Sequence, residues 1–346
     1  MRLLMLARPG ANRVYAGQAT ALAVAELAVC APGARDVAPR TVAGVDYVGF
    51  ESDALDGDGP GRGAALRRIA RQSTFLALFE EDAGGLLRPI EVPRVDVFDD
   101  DLVTIPKYPG KTNEQFTRLL LNVTLAAVRR PLGRGATVLD PLCGRGTTLT
   151  TAWTFGLDAA GVEVDAKAVE QFSAFLKTYL RRKRIKHHAD MVPVRREGKS
   201  LGRKFEATVH LPERDLTMGV FTGDTRSSGR LWGKRTFDAV VTDAPYGVVH
   251  GSRSDVVNTT GKRDRSPAGL LKGGLPVWAA QLKPGGALGL SWNTYGLARE
   301  DLVAMATDAG LDVLDDGPWR EFSHRVDSAI HRDVLVAVKP SAHTAD

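Results

Sequence analysis

The chain has 346 residues, of which 43% are hydrophobic and 25% charged, with a formal net charge of +5, a length and balance that suit two folded units with a sizeable core. Two cysteines, Cys30 and Cys143, exclude a disulfide framework and a multi-cysteine zinc site of the usual spacing, so no metal is expected. No segment has the roughly 18 uninterrupted apolar residues of a membrane span, and the opening is charged again at Arg8, too soon for a secretory core; the expected location is the cytoplasm, with no membrane partner.

Residues 1–100 read as a smaller N-terminal α/β domain. An apolar opening strand is followed by a helix near Gly17 to Val29, a strand at Val45 to Phe50, and an acidic, Gly-rich turn from Asp53 to Gly63 that reads as an exposed loop. A helix at Ala64 to Gln72 and a strand at Phe75 to Phe79 complete it. These hundred residues hold 11 Arg and no Lys against 14 acids, a net of −3. A charged, Pro-bearing connector runs from Glu91 to Pro109.

Residues 101–346 read as a second, larger domain. From Asn113 the spacing of Phe116, Leu119, Leu120, Val123 and Leu125 to Val128 predicts a helix ending before Pro131. Strands then alternate with helices at Thr137 to Asp140, Ala160 to Val164, Gly219 to Thr222, Ala239 to Thr242 and Ala287 to Ser291. That alternation implies a parallel, doubly wound α/β sheet with helices on both faces. Asp312 to Leu314 and Val334 to Val338, flanking a polar stretch, predict a closing antiparallel hairpin.

Four acidic sites fall at the ends of successive predicted strands, where open α/β sheets bind ligands. Asp140 leads into the turn Cys143-Gly144-Arg145-Gly146-Thr147-Thr148. Gly144 and Gly146 let the backbone pass close to a ligand, although such a turn by itself is equally a tight structural turn. Cys143 reads as a small packing residue. Glu163 stands 23 residues after Asp140, placed to accept from two ribose hydroxyls; Asp224 could accept from an adenine amine. The fourth site is Asp243-Ala244-Pro245-Tyr246, which puts a carboxylate, a main-chain carbonyl and a flat ring at one sheet edge. Each acid alone reads first as a strand-end or helix-cap residue; four in order favour a ligand site.

These motifs resemble the amino-methylating class of S-adenosylmethionine-dependent methyltransferases. The resemblance implies a Rossmann-like class I fold, with S-adenosylmethionine held by Asp140, Cys143, Gly144, Gly146, Thr147, Glu163 and Asp224. It implies that Asp243, Ala244, Pro245 and Tyr246 form the catalytic motif, in which Asp243 and the Ala244 carbonyl accept the two hydrogens of an exocyclic amine and Tyr246 stacks on the base. Ala244 stands where Pro is commoner; the family uses that residue's carbonyl, so the hydrogen bond survives. The absence of cysteine from the motif argues against pyrimidine C5 methylation. A closer resemblance, to the tRNA guanosine-10 N2-methyltransferases, rests on Arg67 to Ser73 before a strand, Tyr108 to Thr112 before a helix, and Thr242 to Gly247, with no evident THUMP domain. It implies guanine N2 in RNA, specifically tRNA, as the acceptor. DNA adenine or cytosine, a protein or small-molecule amine, and a non-catalytic RNA binder on the same fold stand as the alternatives.

Residues 181–204 carry 10 Lys or Arg against two acids. Within them Arg181, Arg182, Lys183, Arg184 and Lys186 form a candidate phosphate-contacting patch, and equally a solvated helix end. His187 and His188 are adjacent, point apart, and are not read as metal ligands. Lys107 to Asn113 and the loop Val249 to Gly274 are further candidates for substrate contact.

Overall fold

The computed structural model describes residues 1–10, 17–57, 59, 61–196, 198–246 and 267–341. The N-terminal part is built from β1 (Arg2–Ala7), α1 (Ala19–Cys30), β2 (Ala34–Val42), β3 (Val45–Ser52), α2 (Arg62–Ala70), β4 (Phe75–Glu81) and β5 (Leu87–Ile90). The five strands pair antiparallel in the order β2-β3-β1-β4-β5. Leu3 and Met5, alternate residues of β1, share one face with Val48, Phe50 and Leu78, and this face is covered by Ala23 and Leu27 of α1 and Leu66 and Ile69 of α2. The edge strands β2 and β5 were not predicted: each has few buried positions and carries a proline, Pro39 or Pro89, which is tolerated only at an edge. The predicted open loop at Asp53 is pinned by Leu55, which a short 3-10 turn buries completely.

A connector containing α3 (Asp101–Thr104) leads to α4 (Glu114–Ala127). The Asn113 side chain caps α4 by accepting from the amides of Gln115 and Phe116 at 2.9 and 3.1 Å, worth about 1 kcal/mol. Helix α1 is buried on two sides, because Ala19, Leu22 and Ala25 pack into the larger core with Phe116, Leu120 and Val123. At this seam the buried Glu26 carboxylate accepts from the Ser73 amide and hydroxyl and, at 2.6 Å, from the Asn122 amide. Burial raises its pKa from 4.5 to about 7, outweighing the hydrogen bonds. Folding therefore takes up a proton here, so the stabilisation is complete below pH 4.5 and is lost as pH rises through 7. Glu26→Gln should gain stability over the parent by about 3 kcal/mol between pH 5 and pH 8. Parallel unfolding profiles of the two proteins across that range would contradict it.

The larger sheet comprises β6 (Thr137–Asp140), β7 (Asp158–Glu163), β8 (His187–Arg196), β9 (Lys199–His210), β10 (Asp215–Thr222), β11 (Phe237–Asp243), β12 (Leu282–Asn293), β13 (Asp312–Leu314), β14 (His324–Arg325) and β15 (His331–Val338). Its helices are α5 (Thr147–Thr154), α6 (Ala166–Arg182), α7 (Ser228–Trp232), α8 (Ala268–Gln281) and α9 (Arg299–Asp308). The strand order is β13-β15-β12-β11-β6-β7-β10-β9-β8, with β14 on β15. Strands β10, β7, β6, β11 and β12 are parallel, as predicted, and β15 runs antiparallel between β12 and β13. This is a Rossmann-like, doubly wound α/β arrangement, with its reversal of strand order between β6 and β11. Both faces are covered: Trp153, Phe172 and Leu176 pack on one, Leu275, Trp278 and Leu302 on the other. Accordingly β6 and β11 are almost wholly buried.

The β8–β9 hairpin was not predicted. It adds two antiparallel strands outside β10, with Lys204 facing Phe221 and the pair Arg196 and Lys199 carrying the tip beyond the end of β10. No helix among the described residues is long and apolar enough to cross a membrane.

Candidate active site

All four predicted acids lie at the carboxyl-terminal edge of the parallel strands. Asp140 ends β6 and is 3% exposed. Its Oδ1 accepts from the Leu142 amide at 3.0 Å and from the Thr242 hydroxyl at 2.8 Å. Burial raises its pKa to about 6 against the opposing pull of Thr242, Thr148 and the Leu142 amide. Thr242 immediately precedes Asp243, so one hydroxyl ties the two halves of the site across the β6–β11 junction.

The turn after Asp140 has left-handed backbone at Gly144 (φ +50°) and Gly146 (φ +78°). A Cβ on Gly146 would also lie 2.5 Å from the Phe172 ring, so this residue is fixed by conformation and by packing. At Gly144 a Cβ would meet nothing within 4 Å, and the requirement there is the backbone angle alone. Gly146 leads directly into α5, whose first residue, Thr147, pairs its hydroxyl with the Tyr108 hydroxyl at 2.9 Å. The Arg145 guanidinium covers the Tyr108 ring at 4.6 Å. Cys143 is buried with its sulfur against Gly161, where a Cβ would come within 2.7 Å of it. Burial pushes the thiol pKa well up, and the sulfur packs against Gly161 as a small apolar group would.

Glu163 ends β7 with its two oxygens held separately: Oε2 accepts from the Gly144 amide at 2.9 Å and Oε1 from the Asp165 amide at 2.8 Å. Burial raises its pKa. Two amides thus aim the carboxylate while each oxygen keeps a further lone pair. Asp224, two residues past β10, is placed differently from the expectation of a group awaiting an amine. Its carboxylate accepts from the Arg226 amide at 2.8 Å and from the Arg226 side chain at Nε and Nη2, a pairing that holds its pKa down.

Asp243 ends β11 within a ring of hydroxyls. The Thr112 hydroxyl donates to Oδ2 at 2.6 Å, and those of Ser291 and Tyr246 donate to Oδ1. Thr112 comes from the segment Lys107 to Asn113, which the structure brings to the site. Ala244 is buried, its amide donating to the Ser291 carbonyl at 2.8 Å, whereas Pro245 is exposed. Tyr246 points its hydroxyl inward, and burial followed by the Asp243 charge drives its pKa well up.

Sequence reasoning missed Arg332, which lies on β15 beside this ring. Its side chain is 4% exposed, Nη2 lies 4.0 Å from Asp243 Oδ2, and Nε donates to the Tyr246 hydroxyl at 2.6 Å. The guanidinium stacks 4.1 Å from the Phe116 ring and 5.1 Å from the Tyr246 ring. The available signal was a charged pair, Arg332-Asp333, at the head of an apolar run.

The structure does not bring Arg181, Arg182, Lys183, Arg184 and Lys186 to this edge. Helix α6 starts beside Glu163 and runs back along the sheet for 17 residues, about 25 Å. His187, just after the cluster, aligns through Val209 with Leu216 near the start of β10. Lys183 pairs with Asp99 and Asp101 of the connector. Most of the predicted loop from Val249 lies outside the described residues, and its last part, from Ala268, is the start of α8.

No family model and no curated protein matches the chain. Among solved structures, TrmN from Thermus thermophilus is similar at 16% identity, with 98% of this chain and 99% of that chain covered and a TM-score of 0.45. Magnesium protoporphyrin IX methyltransferase (ChlM) from Synechocystis PCC 6803, solved with bound SAH, is similar at 15% identity, over 65% of this chain and 82% of that one, with a TM-score of 0.39. A TehB-like SAM-dependent methyltransferase from Corynebacterium glutamicum is similar at 16% identity, over 63% and 85% of the respective chains, with a TM-score of 0.34. At these identities the likeness is one of fold.

Proposed function

We propose that the protein is an S-adenosylmethionine-dependent N-methyltransferase acting on the exocyclic amine of a nucleic-acid base, with guanine N2 in RNA, and tRNA in particular, as the acceptor. The observation that carries this reading is the alignment of Asp140, Glu163, Asp224 and Asp243 along one strand edge, with Asp243 held in a ring of hydroxyls next to a main-chain carbonyl and an aromatic residue.

The residues present fit the cofactor. Glu163 offers one free lone pair on each oxygen to a ribose diol, the Gly144–Gly146 turn presents backbone beside it, and Asp140 lies below. Asp224 can serve the adenine amine once Arg226 turns aside. When bound, S-adenosylmethionine supplies a methyl group activated by its sulfonium charge. The chain's own part is positioning and electrostatics.

A carboxylate has about four lone-pair positions, and hydroxyls from Thr112, Ser291 and Tyr246 occupy three at Asp243. One remains to accept a hydrogen of the amine, while the Ala244 carbonyl accepts the other. This orientation turns the nitrogen lone pair toward the methyl donor, and the Asp243 charge stabilises the positive charge that develops on nitrogen. Arg332 lies over one side of the Tyr246 ring.

The test is transfer of labelled methyl from S-adenosylmethionine to RNA, DNA and protein in parallel, with cofactor affinity measured alongside. Glu163→Ala is expected to weaken cofactor binding by about tenfold or more, the loss of two hydrogen bonds to a charged group. Label in RNA that digests to a methylated guanosine supports the reading. Label only in DNA or protein would refute the acceptor, and undiminished cofactor affinity in the Glu163 variant would refute the cofactor site.

A further inference from the structure

We propose that the face formed by the β8–β9 hairpin, α7 and the turn into β11 is the docking surface for the phosphodiester backbone of the RNA, an inference that rests on the reading of an RNA base as methyl acceptor. Two basic segments converge there. Between Asp224 and β11 the chain carries Arg226, Arg230, Lys234 and Arg235 and no further acid. The hairpin contributes Arg196 and Lys204, the side chains that face α7.

Contacts fix the two segments together. Arg196 donates to the main-chain carbonyls of Arg230 and Leu231, the latter at 3.1 Å. The Lys204 ammonium lies 4.9 Å from the Trp232 ring and the Arg235 guanidinium 5.1 Å from the same ring. Among the described residues the acids paired with these cations are Glu206, with Lys204, and Asp224, with Arg226. Arg196, Arg230 and Lys234 are exposed. Convergence of like charge raises the self-repulsion of the folded chain; a polyanion laid across the face relieves it.

A second observation also points to a ligand. An open cavity of about 510 Å³ on this face is lined by Gly229, Gly233, Lys234, Arg235 and Gln281. Gln281 is 4% exposed, and neither its amide oxygen nor its amide nitrogen has a hydrogen-bond partner. Two cations beside an unpaired donor and acceptor suit phosphate and ribose groups, the parts of a nucleic acid that position it without reading sequence. The face is joined to the methyl-transfer edge, since Trp278 of α8 donates to the Thr225 hydroxyl at 2.9 Å beside Asp224. Arg226 and Arg230 lie on the segment that leaves the methyl-transfer edge after Asp224, and Lys234 and Arg235 continue it to the start of β11, so the track runs along the flank of the sheet; the cations at the end of α6 lie beyond it, with Lys183 paired to Asp99 and Asp101, and the first hundred residues are net acidic.

The experiment measures binding of total tRNA to the full chain across a salt series for the parent, an Arg196→Glu/Arg230→Glu/Lys234→Glu variant, and an Arg181→Glu/Arg182→Glu/Arg184→Glu variant. Affinity for S-adenosylmethionine in each reports the fold. The hairpin-face variant is expected to bind tRNA at least about tenfold more weakly at low salt, with a log–log salt slope smaller by about 2, and to keep its cofactor affinity. Parent-like tRNA binding by this variant, or loss confined to the α6-end variant, would overturn the surface and leave the methyltransferase reading standing. Failure of the parent itself to bind tRNA while binding cofactor would overturn the RNA reading and the surface together. Equal binding of polyglutamate and tRNA would overturn the choice of partner.

Discussion

Replacing Asp243 with Ala is expected to lower methyl transfer by about 10³-fold, the scale on which a preorganised hydrogen-bonding group at a reacting centre acts, while cofactor affinity stays within about twofold. The separation follows from the geometry. Asp243 belongs to β11 and to the ring formed by Thr112, Ser291 and Tyr246, whereas the residues fitted to the cofactor's ribose and turn belong to β6 and β7. Asp243→Asn sharpens the test because it keeps one acceptor oxygen and removes the charge. It should retain more activity than the Ala variant and less than the parent. Activity within tenfold of the parent for the Ala variant, or a parallel collapse of cofactor binding, would sink the assignment of Asp243 to the amine.

The second large effect is expected at Arg332. Its guanidinium is almost completely buried 4.0 Å from the Asp243 carboxylate, and it is layered against Phe116 and bonded to the Tyr246 hydroxyl. Arg332→Leu removes the positive partner and leaves a shielded carboxylate beside apolar surface. Loss of the buried hydrogen bond to Tyr246 costs about 1 to 3 kcal/mol, so the variant should unfold at a lower temperature as well as lose transfer. Arg332→Lys keeps the charge but lacks the flat fork that stacks on a ring while donating to a hydroxyl. It is expected to recover most of the stability and little of the activity. A Leu variant as stable and as active as the parent would show that Arg332 does not position this site.

The residues of β6 were readable because Thr137–Asp140 is a short apolar run bounded by a Gly-bearing turn, and a strand buried on both faces has little other way to appear. The closing pair β13 and β15 was readable from the same kind of run. Strands β8 and β9 were not, since Arg195, Arg196, Arg203 and Lys204 made the segment look like a charge feature and Pro193 and Gly202 weakened its strand pattern. The alternation that marks it, Phe205, Ala207 and Val209 facing the core on β9 with Ala189 and Met191 of β8 packed against the same cluster, is broken by these residues toward the tip. The acids at the strand ends were legible because each follows its own strand. Arg332 was not, because it reaches Asp243 only through the insertion of β15 beside β12, a tertiary pairing that pairs Arg332 with Asn293. Arg226 likewise altered the picture at Asp224, since nothing in Thr222-Gly223-Asp224 announces that the acid meets a guanidinium two residues on.

Helix α1 gives one flank to the small sheet and the other to the core of the large one. The two sheets therefore share a wall, and a recombination event at the connector would cut through that wall. The two units are expected to be inherited as a pair: a small sheet transplanted from another lineage would have to bring counterparts of Glu26 and Ser73 that meet Asn122 of α4. Nicking the chain at the connector should likewise leave the two fragments associated.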